Sequence, residues 1–413
     1  MSTLPDRCVT LLLAPMTDRS PADSSLADPF AEDHSRRLAD LIRAQAAAHG
    51  GFLPFDCFME LALYAPGLGY YAAGSHKFGA GGDFVTAPEI SPLFGRCLAR
   101  QCAEILAALG GGDVMELGAG TGTLAADLLD GLLREGILPG RYLILEPSPD
   151  LRVRQQALLR ERRPELSDRV HWLDRLPQDF TGVMLANEVA DAMPVHRFAV
   201  REDGSVAEIF VRSVVDGWDE VAGDPDSPGL ADAVYALQAQ GLAREPGYKS
   251  EINLRLHPWI AALAGAMDRG LVLLIDYGYP RSEYYHHARN AGTLMCHYRH
   301  QAHGNPFVHL GLQDITAHVD FSALADAGLV AGMEVAGFTT QAHFLIGCGL
   351  DELLAEVLAG GGDGLGQMLG AKQLVMPTGM GERFRVLGLA KDVSRSWCGF
   401  SLRDLRGRLD SRA

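Results

Sequence analysis

The sequence predicts an α/β protein in which a mostly parallel sheet carries helices on both faces. Short apolar runs that resemble strands, at 113–117, 141–146 and 182–187, are separated by segments with helical periodicity. Such alternation is typical of parallel strands joined by crossover helices. A glycine-rich turn at 118–122 directly follows the first of these strands, where open α/β sheets bind their ligands.

The elements before this sheet are predicted from composition and helical patterns. The segment 15–35 is rich in Pro, Ser and Asp without periodicity, so residues 1–35 are expected to form a flexible leader. A helix is predicted from Arg36 to the Gly50-Gly51 stop, and two more over 56–64 and 91–109. With the glycine-rich loop between the last two helices, they form a predicted helical N-terminal cap over 36–110.

The alternation of strand and helix lapses after Val195. Period-two apolar residues flank Asp203-Gly204, and a DG turn between alternating strands predicts a β-hairpin. With helices near 231–242 and 257–268, this gives an inserted hairpin and helical subdomain over 196–268. The remaining predicted elements, in chain order, are a strand at 271–278, a polar His-rich loop to about 320, helix 321–331, strand 333–338, helix 343–358 and strand 384–390. The main domain is therefore expected over 111–195 and 269–392, with a tail at 393–413.

Composition restricts the function classes. The 413 residues suffice for a large domain with additions. A formal net charge of −16 argues against general affinity for nucleic acid and is compatible with a cationic substrate, although many soluble proteins are simply acidic. The apolar run Val9–Ala14 is too short to span a bilayer, so no membrane insertion is expected. Seven scattered cysteines without a CxxC pair favour reduced thiols and a cytoplasmic protein.

The stretch VMELGAGTGTL at 114–124 favours one adenosyl ligand over another. Gly118, Gly120 and Gly122 allow close approach of the backbone to a ligand. The dinucleotide fingerprint is GxGxxG, and here Thr123 stands where the third glycine would fall. Glu116 would repel a nearby phosphate, whereas the ammonium and sulfonium of S-adenosylmethionine tolerate a carboxylate. A glycine-rich turn without a ligand is the alternative interpretation.

Two further acidic residues follow neighbouring strands. Glu146 ends the next strand and can accept both ribose hydroxyls, which S-adenosylmethionine and NAD share. Its position therefore supports an adenosyl ligand without choosing between the two. Asp174 follows the third predicted strand, a short one near 170–173. An acidic residue at that position often receives the adenine amino group, although an ordinary surface aspartate fits the sequence as well.

Several long motifs resemble one family. GGDFVTAPEISPLFG at 81–95, MELGAGTGTL at 115–124, NEVADAMPVHRF at 187–198, GTLMCHYRHQAHGNPF at 292–307 and QDITAHVDFSAL at 313–324 resemble the MidA-like methyltransferases. That family includes the mitochondrial complex I assembly-factor arginine methyltransferase. The resemblance implies a class I (Rossmann-like) fold with a seven-stranded sheet, S-adenosylmethionine as cofactor, and a protein arginine, in a respiratory complex I subunit, as acceptor.

The resemblance also implies roles near the donor. It makes the loop at 81–91 a lid, with Asp83 and Thr86 near the methionine end of the donor and Gly82 allowing a tight approach. Thr86 or Ser91 could instead cap the helix that starts near 91. One departure is Ala119, where relatives often have proline.

The stretch NEVADAMPVH at 187–196 follows the fourth sheet strand. Asn187 suits the methionine end of the donor, and Glu188 and Asp191 are the candidates for holding a guanidinium, which stays protonated and needs carboxylates. Asp191 could instead cap the turn before Pro194. Many relatives carry NEFFDALP here, and the loss of that aromatic bears on the acceptor pocket.

The His-rich segment 296–309 fits no closed zinc pattern, so no metal is expected there. Arg299 and His300 are candidates for lining an acceptor channel, and a purely structural role is the alternative. Two other functions stay open: an assembly factor that binds a partner protein while keeping the donor site, and an NAD-dependent oxidoreductase, which GxGxG disfavours. The oligomeric state is not fixed by the sequence, which permits a homo-oligomer.

Overall fold

The computed structural model describes residues 29–73, 86–215, 217–360, 364–393 and 395–409. The helices are α1 (Pro29–Ala48), α2 (Phe55–Tyr64), α3 (Ala87–Ile90), α4 (Pro92–Leu109), α5 (Thr123–Arg134), α6 (Pro149–Arg162), α7 (Leu230–Ala239), α8 (Leu256–Ala266), α9 (Arg281–Tyr284), α10 (Phe321–Val330), α11 (Gln341–Gly347), α12 (Leu350–Ala359) and α13 (Gly364–Val375). The strands are β1 (Phe52–Pro54), β2 (Asp113–Leu117), β3 (Tyr142–Leu145), β4 (Val170–Leu173), β5 (Phe180–Asn187), β6 (His196–Val200), β7 (Val206–Val214), β8 (Gly217–Gly223), β9 (Lys249–Ile252), β10 (Met267–Tyr279), β11 (Met295–Tyr298), β12 (Gln301–His303), β13 (Asp314–Thr316), β14 (Val319–Asp320), β15 (Glu334–Thr340) and β16 (Phe384–Lys391). Short 3₁₀ turns cover Pro164–Arg169, His287–Arg289, Cys398–Phe400 and Arg406–Arg408.

The central sheet has the strand order β15-β16-β10-β5-β2-β3-β4. Pairing is parallel from β10 to β4, and β16 runs antiparallel to both of its neighbours. The sheet differs from the predicted seven strands because β14 also pairs with the end of β10, which makes eight. The extra pairing arises because β10, at 13 residues, is long enough to extend past its other neighbours. The predicted α/β class is thus confirmed, with a mixed sheet.

Apolar side chains on both faces of the sheet explain why its central strand reads as one continuous apolar run. In β10, Leu271, Leu273 and Ile275 pack into the core on one face of the sheet. Val272 and Leu274 pack into the core on the other face. A strand that is covered on both faces needs apolar residues at every position, which removes the alternation seen in half-exposed strands.

A second sheet lies in the inserted segment. Its order is β1-β7-β6-β9, with β8 also paired to β7. The predicted hairpin is confirmed, since β6 and β7 pair antiparallel with Val200 opposite Val206. The sequence did not predict β1 as an edge strand of this sheet, where Phe52 lies opposite Arg212. A three-residue strand is too short to show periodicity, and its pairing depends on residues far along the chain.

Other differences from the predicted elements are local. Helix α1 begins at Pro29, inside the predicted leader. The helix predicted over 343–358 is divided into α11 and α12 by Gly349, which has a left-handed φ of 80°. Helix α13 was not predicted. The tail contains short 3₁₀ turns, and the domain boundaries themselves stay predictions. Within the described ranges no helix has the length and apolar character needed to cross a membrane.

The predicted His-rich loop contains a small sheet of order β12-β11-β13. The turn between β11 and β12 places Arg299 and His300 at φ values of 47° and 62°. Two consecutive positive φ values are typical of the type I′ turn, which usually carries Asn or Gly. Because neither residue type is present here, no hairpin is predicted from the residues of this turn.

Candidate active site

A cavity of about 680 Å³ opens beyond the carboxyl ends of β2, β3 and β5. Its volume falls in the range of small-molecule sites. Nine of the predicted site residues line it: Thr86, Glu116, Gly118, Gly120, Thr123, Glu146, Asn187, Glu188 and Asp191. The sheet therefore gathers segments that are distant in sequence at one edge. Gly82 and Asp83 lie outside the described residues.

The glycine turn after β2 needs its glycines for different reasons. Gly118 has a φ of 67°, and a Cβ there would lie 3.3 Å from Val189 Cγ2. Gly120 has a φ of 53°, and a Cβ there would meet no atom within 4 Å. Gly122 does not line the cavity. It lies against α6, and a Cβ there would meet Gln155 at 3.2 Å. Gly122 thus serves helix packing, and the other two leave room beside the cavity.

Glu116 is nearly fully buried at the end of β2. Its Oε2 accepts a hydrogen bond of 2.6 Å from the hydroxyl of Tyr142. Burial raises the pKa of Glu116 to about 7, because the carboxylate loses its hydration. A cationic group in the cavity, such as a protonated amino group, would favour the ionised form of Glu116.

Glu146 is held by two donors. Its Oε1 accepts from the Ser148 amide at 3.0 Å and its Oε2 from Gln155 Nε2 at 3.2 Å. Gln155 Nε2 also donates to the Gly120 carbonyl at 2.9 Å, and Gln155 Oε1 accepts from Trp172 Nε1 at 2.8 Å. Gln155 thereby connects the glycine turn to the carboxylate at the end of β3. The sequence did not point to Gln155, because no motif marks a helix residue that bridges two loops.

We expect Glu146→Ala to weaken S-adenosylhomocysteine binding by about 1.5–3 kcal/mol, the range for hydrogen bonds to a charged group. Isothermal titration calorimetry measures this loss directly. Glu165→Ala is a matched control, since Glu165 lies on the surface and pairs with Arg163. An unchanged dissociation constant in Glu146→Ala would show that this carboxylate only orders the turn after β3.

A third acidic residue faces the glycine turn from α3. Glu89 Oε1 accepts from Thr121 Oγ1 at 2.5 Å and from Thr123 Oγ1 at 3.1 Å. Thr86 precedes α3 and makes no capping hydrogen bond, so the capping alternative fails for it, whereas Ser91 does cap α4 through the Leu93 amide. Glu89 belongs to the segment 81–91, for which the resemblance implies a lid. The hydrogen bonds of Glu89 join it to the glycine turn on the donor side of the cavity.

The loop after β5 has an uncommon backbone conformation. Glu188 has a φ of 54°, a left-handed value that costs free energy for a non-glycine residue. Its amide donates to the Ile275 carbonyl at 2.9 Å. The Asn187 side chain donates to Glu188 Oε1 at 3.1 Å. Strain of this kind persists only where the surrounding packing holds the residue in place, and it is typical of functional sites.

Asp276 fixes the same loop from β10. Its Oδ2 accepts from the amides of Ala190 and Asp191 at 3.0 and 3.2 Å. Burial, followed by the charges of Asp191 and Glu188, raises the pKa of Asp276 well above its ordinary value. Asp276 is therefore a structural acid under the loop, while Glu188 and Asp191 line the cavity.

Asp191 ties the turn after β5, and it also lines the cavity. Its carboxylate accepts hydrogen bonds from the Tyr277 hydroxyl and the Ala192 amide, which ties the turn. Its Oδ1 is buried without a hydrogen-bond partner in the described part of the chain, as is Asn187 Oδ1. A buried acceptor without a donor is costly, so both atoms are suited to a ligand that donates N–H groups.

The cavity carboxylates make stability depend on pH. Burial raises the pKa of Asp191 to about 6, of Glu116 to about 7 and of Glu188 to about 8, the last also through the charge of Asp191. The folded protein therefore holds protons that the unfolded chain has released, and its stability falls as pH rises. We expect the free energy of unfolding without ligand to fall between about pH 5 and 8, by on the order of a few kcal/mol.

Urea denaturation across that pH interval tests this expectation. Glu188→Gln removes the group with the highest of these three pKa values, so its stability should fall less steeply above about pH 6. A wild-type protein that gains stability over the interval would contradict the assignment of protonated carboxylic acids to the cavity.

Besides Gly122, three described site residues that were predicted from the sequence lie outside the cavity. The Asp174 side chain is 88% exposed and pairs with Arg152 at 2.7 Å, so the structure does not place it at an adenine ring. Arg299 and His300 are exposed at the β11–β12 turn, and neither lines the cavity. In the regions the structure describes, no group of His, Cys, Asp or Glu residues is arranged to hold a metal ion.

The charge of the cavity is one-sided. Six carboxyl groups line it: Glu89, Glu116, Glu146, Glu188, Asp191 and Asp314. Among its described lining residues there is no Lys, Arg or His. A ligand that brings positive charge would compensate these carboxyl groups in their ionised form. S-adenosylmethionine brings such charge through its ammonium and sulfonium, and the glycine turn and Glu146 fit its adenosyl part. Together the fold and the site define an S-adenosylmethionine-dependent methyltransferase.

Comparison with known proteins gives the family. The model of a family of S-adenosyl-L-methionine-dependent methyltransferases matches residues 97–339, and the chain belongs to this family. It is 30% identical to the mitochondrial protein arginine methyltransferase NDUFAF7 of Danio rerio, over 82% of this chain and 84% of that protein. Identity to the Mus musculus protein of the same name is 28%, over 94% and 92% of the two chains.

A solved structure supports the donor site. The chain superposes on a protein of Burkholderia thailandensis that is bound to S-adenosyl-homocysteine, with a TM-score of 0.87 and 41% identity. The match covers 92% of this chain and 98% of that one. The predicted family, cofactor and enzyme class are confirmed.

Proposed function

We propose that this methyltransferase acts on the guanidinium group of an arginine side chain in a protein substrate. The observation that carries the proposal is the pair of carboxyl groups of Glu188 and Asp191, which line a cavity without a described cationic residue. The names of the relatives agree with an arginine acceptor. At about 30% identity those names do not decide the acceptor, so the site chemistry must support it.

An arginine acceptor explains the acidic loop better than a neutral one. Guanidinium is protonated at any physiological pH and presents N–H donors in a planar fork that matches carboxylates. Asp191 Oδ1 and Asn187 Oδ1 are buried acceptors without partners in the described chain. A hydroxyl or thiol acceptor would satisfy one of them at most, and it would leave the carboxylate charge unbalanced.

The residues of the loop can then be given roles. When bound, S-adenosylmethionine supplies an electrophilic methyl group on its sulfonium. Glu188 orients one guanidinium nitrogen toward that group and stabilises the positive charge during transfer. Methylation of a guanidinium nitrogen releases one proton. Burial raises the pKa of Glu188 to about 8, but a guanidinium beside it favours the ionised form, and this carboxylate takes up the released proton. Asp191 holds a second nitrogen.

The substrate protein is inferred from charge and resemblance. The net charge of −16 would steer a basic segment toward the protein. The resemblance to the MidA-like family makes a subunit of respiratory complex I the proposed substrate, which the enzyme would meet in the cytoplasm. The Glu188 and Asp191 side chains need only one arginine from that segment.

Incubation with methyl-labelled donor and host lysate tests the proposal. We expect a labelled protein band that, after acid hydrolysis, yields methylated arginine. Labelled lysine or a labelled carboxyl ester in its place would overturn the arginine assignment. Donor binding without any labelled protein would favour an assembly factor that only binds its partner. Protein treated with an excess of S-adenosylhomocysteine is the control for enzymatic labelling.

A further inference from the structure

Two tyrosines close the cavity from the side of the N-terminal cap. Tyr64 ends α2, Tyr71 lies in the following turn, and both line the cavity. Their rings are stacked, with centroids 5.5 Å apart and planes inclined by 20°. The Tyr64 hydroxyl donates to the Ala192 carbonyl at 2.9 Å, which fixes the pair against the acidic loop. The rings thus form an aromatic wall beside that loop.

A third carboxylate lies next to this wall. Asp314, the first residue of β13, is buried, lines the cavity and accepts a hydrogen bond of 3.0 Å from the Tyr71 hydroxyl. The same segment is joined to the acidic loop, since the Ala317 amide donates to the Asp191 carbonyl at 3.0 Å. Burial raises the pKa values of Glu188 and Tyr64, and the negative charge of Asp314 adds to both increases. Asp314 therefore shares one pocket with the acidic loop and the tyrosines.

The function proposed above does not use Asp314 or the tyrosines. Resting on that function, we infer that Asp314 is a third acceptor-binding carboxylate, and that the Tyr64–Tyr71 wall and Asp314 select a planar guanidinium over the ammonium of lysine. A guanidinium can lie beside an aromatic ring while its edges donate to carboxylates on two sides. Lysine offers a compact charge without such a plane, so it gains less from the same walls.

The position of Asp314 favours a role in binding a cationic ligand. Asp314, Glu188 and Asp191 line one cavity, and no Lys, Arg or His is among the described residues that line it. Carboxylates that share one site repel each other, which makes their simultaneous ionisation costly. A cationic ligand between the three acids lowers this cost.

Calorimetry on the full chain loaded with S-adenosylhomocysteine tests this inference. The probes are N-acetyl-arginine-methylamide and the corresponding lysine compound. We expect the wild-type protein to bind the arginine probe at least tenfold more tightly than the lysine probe. Asp314→Asn should weaken the arginine probe at least tenfold while S-adenosylhomocysteine affinity stays within twofold. A protein whose Asp314 only supports the fold would keep the arginine preference.

Further variants separate the contributions. Tyr71→Phe keeps the ring and loses the hydroxyl, so it should weaken the arginine probe by less than about threefold. Tyr71→Leu loses the ring and should reduce the preference for arginine at least fivefold, which keeps the test valid if Asp314→Asn does not fold. Asp326→Asn is the matched control, because Asp326 pairs with Arg281 outside this cavity.

The outcomes distinguish this inference from the proposed function. Equal binding of both probes by the wild-type protein would overturn the selection of guanidinium, and unlabelled arginine in the lysate assay would overturn the function itself. Arginine labelling together with unchanged probe binding in Asp314→Asn would refute only the role of Asp314. Arginine labelling together with a preserved preference in Tyr71→Leu would refute only the aromatic wall.

Discussion

Glu188→Gln is expected to keep donor affinity within a few-fold and to cut transfer to a protein arginine at least about a hundredfold, the size of losing one charge-stabilising contact in a transition state. The variant keeps the shape of the side chain and loses its charge. Gln can still accept from the Asn187 side chain, which donates to Glu188 Oε1 at 3.1 Å, so the strained loop keeps its local hydrogen bond. It cannot take up the proton that methylation releases.

Two measurements on Glu188→Gln are needed: calorimetry with S-adenosylhomocysteine and transfer of labelled methyl groups under saturating donor. Glu208→Gln is a matched control. Glu208 is also a buried carboxylate, but it accepts from the Asp226 and Ser227 amides and does not line the cavity. Transfer by this control should equal that of the wild type. A collapse of donor affinity in Glu188→Gln would reassign Glu188 to the donor site, and unchanged transfer would move the acceptor site elsewhere.

Gly118→Val is expected to weaken donor binding at least about a hundredfold, because two effects combine at one position. Gly118 has a φ of 67°, where a β-branched residue is strained. A Cβ there would already lie 3.3 Å from Val189, and the two methyl groups of valine extend beyond it beside the cavity. The backbone turn and the space for the donor are therefore lost together.

A second glycine variant separates strain from lost space. Gly136 has a φ of 72° and nothing within 4 Å of a Cβ position, so Gly136→Val carries similar backbone strain away from the cavity. Both variants should lose thermal stability, and only Gly118→Val should lose S-adenosylhomocysteine binding in calorimetry. Donor binding by a folded Gly118→Val protein at wild-type affinity would show that the ligand does not approach this turn.

The donor side of the site was predictable because its signals are local. Glu116 lies near the end of β2, the glycine turn and Glu146 directly follow β2 and β3, and parallel strands bring their carboxyl ends to one edge. Patterns within short stretches of sequence therefore predicted both the fold and the donor site. Asp174 also directly follows a strand, but its side chain is exposed to solvent and pairs with Arg152. A position after a strand therefore places the backbone at the edge but does not aim the side chain.

The other walls depend on contacts between distant segments. Tyr71 and Asp314 are separated by more than 240 positions in the chain and meet in a hydrogen bond. Gln155 bridges two loops through both ends of its amide. Neither arrangement has a periodicity or a motif of its own. Arg299 and His300 were singled out by residue type, but they lie at a two-residue turn and neither lines the cavity.

The N-terminal cap has a consequence for folding during synthesis. Its strand β1 pairs with β7, and the Tyr71 hydroxyl donates to Asp314. The cap is synthesised before both of these partners. Synthesis proceeds at about 5–20 residues per second, so the partners follow the cap after roughly 10–50 s. During that interval the apolar faces of α1 and α2 lack their final contacts. Chain elongation therefore sets the earliest moment at which the aromatic wall can bond to Asp314.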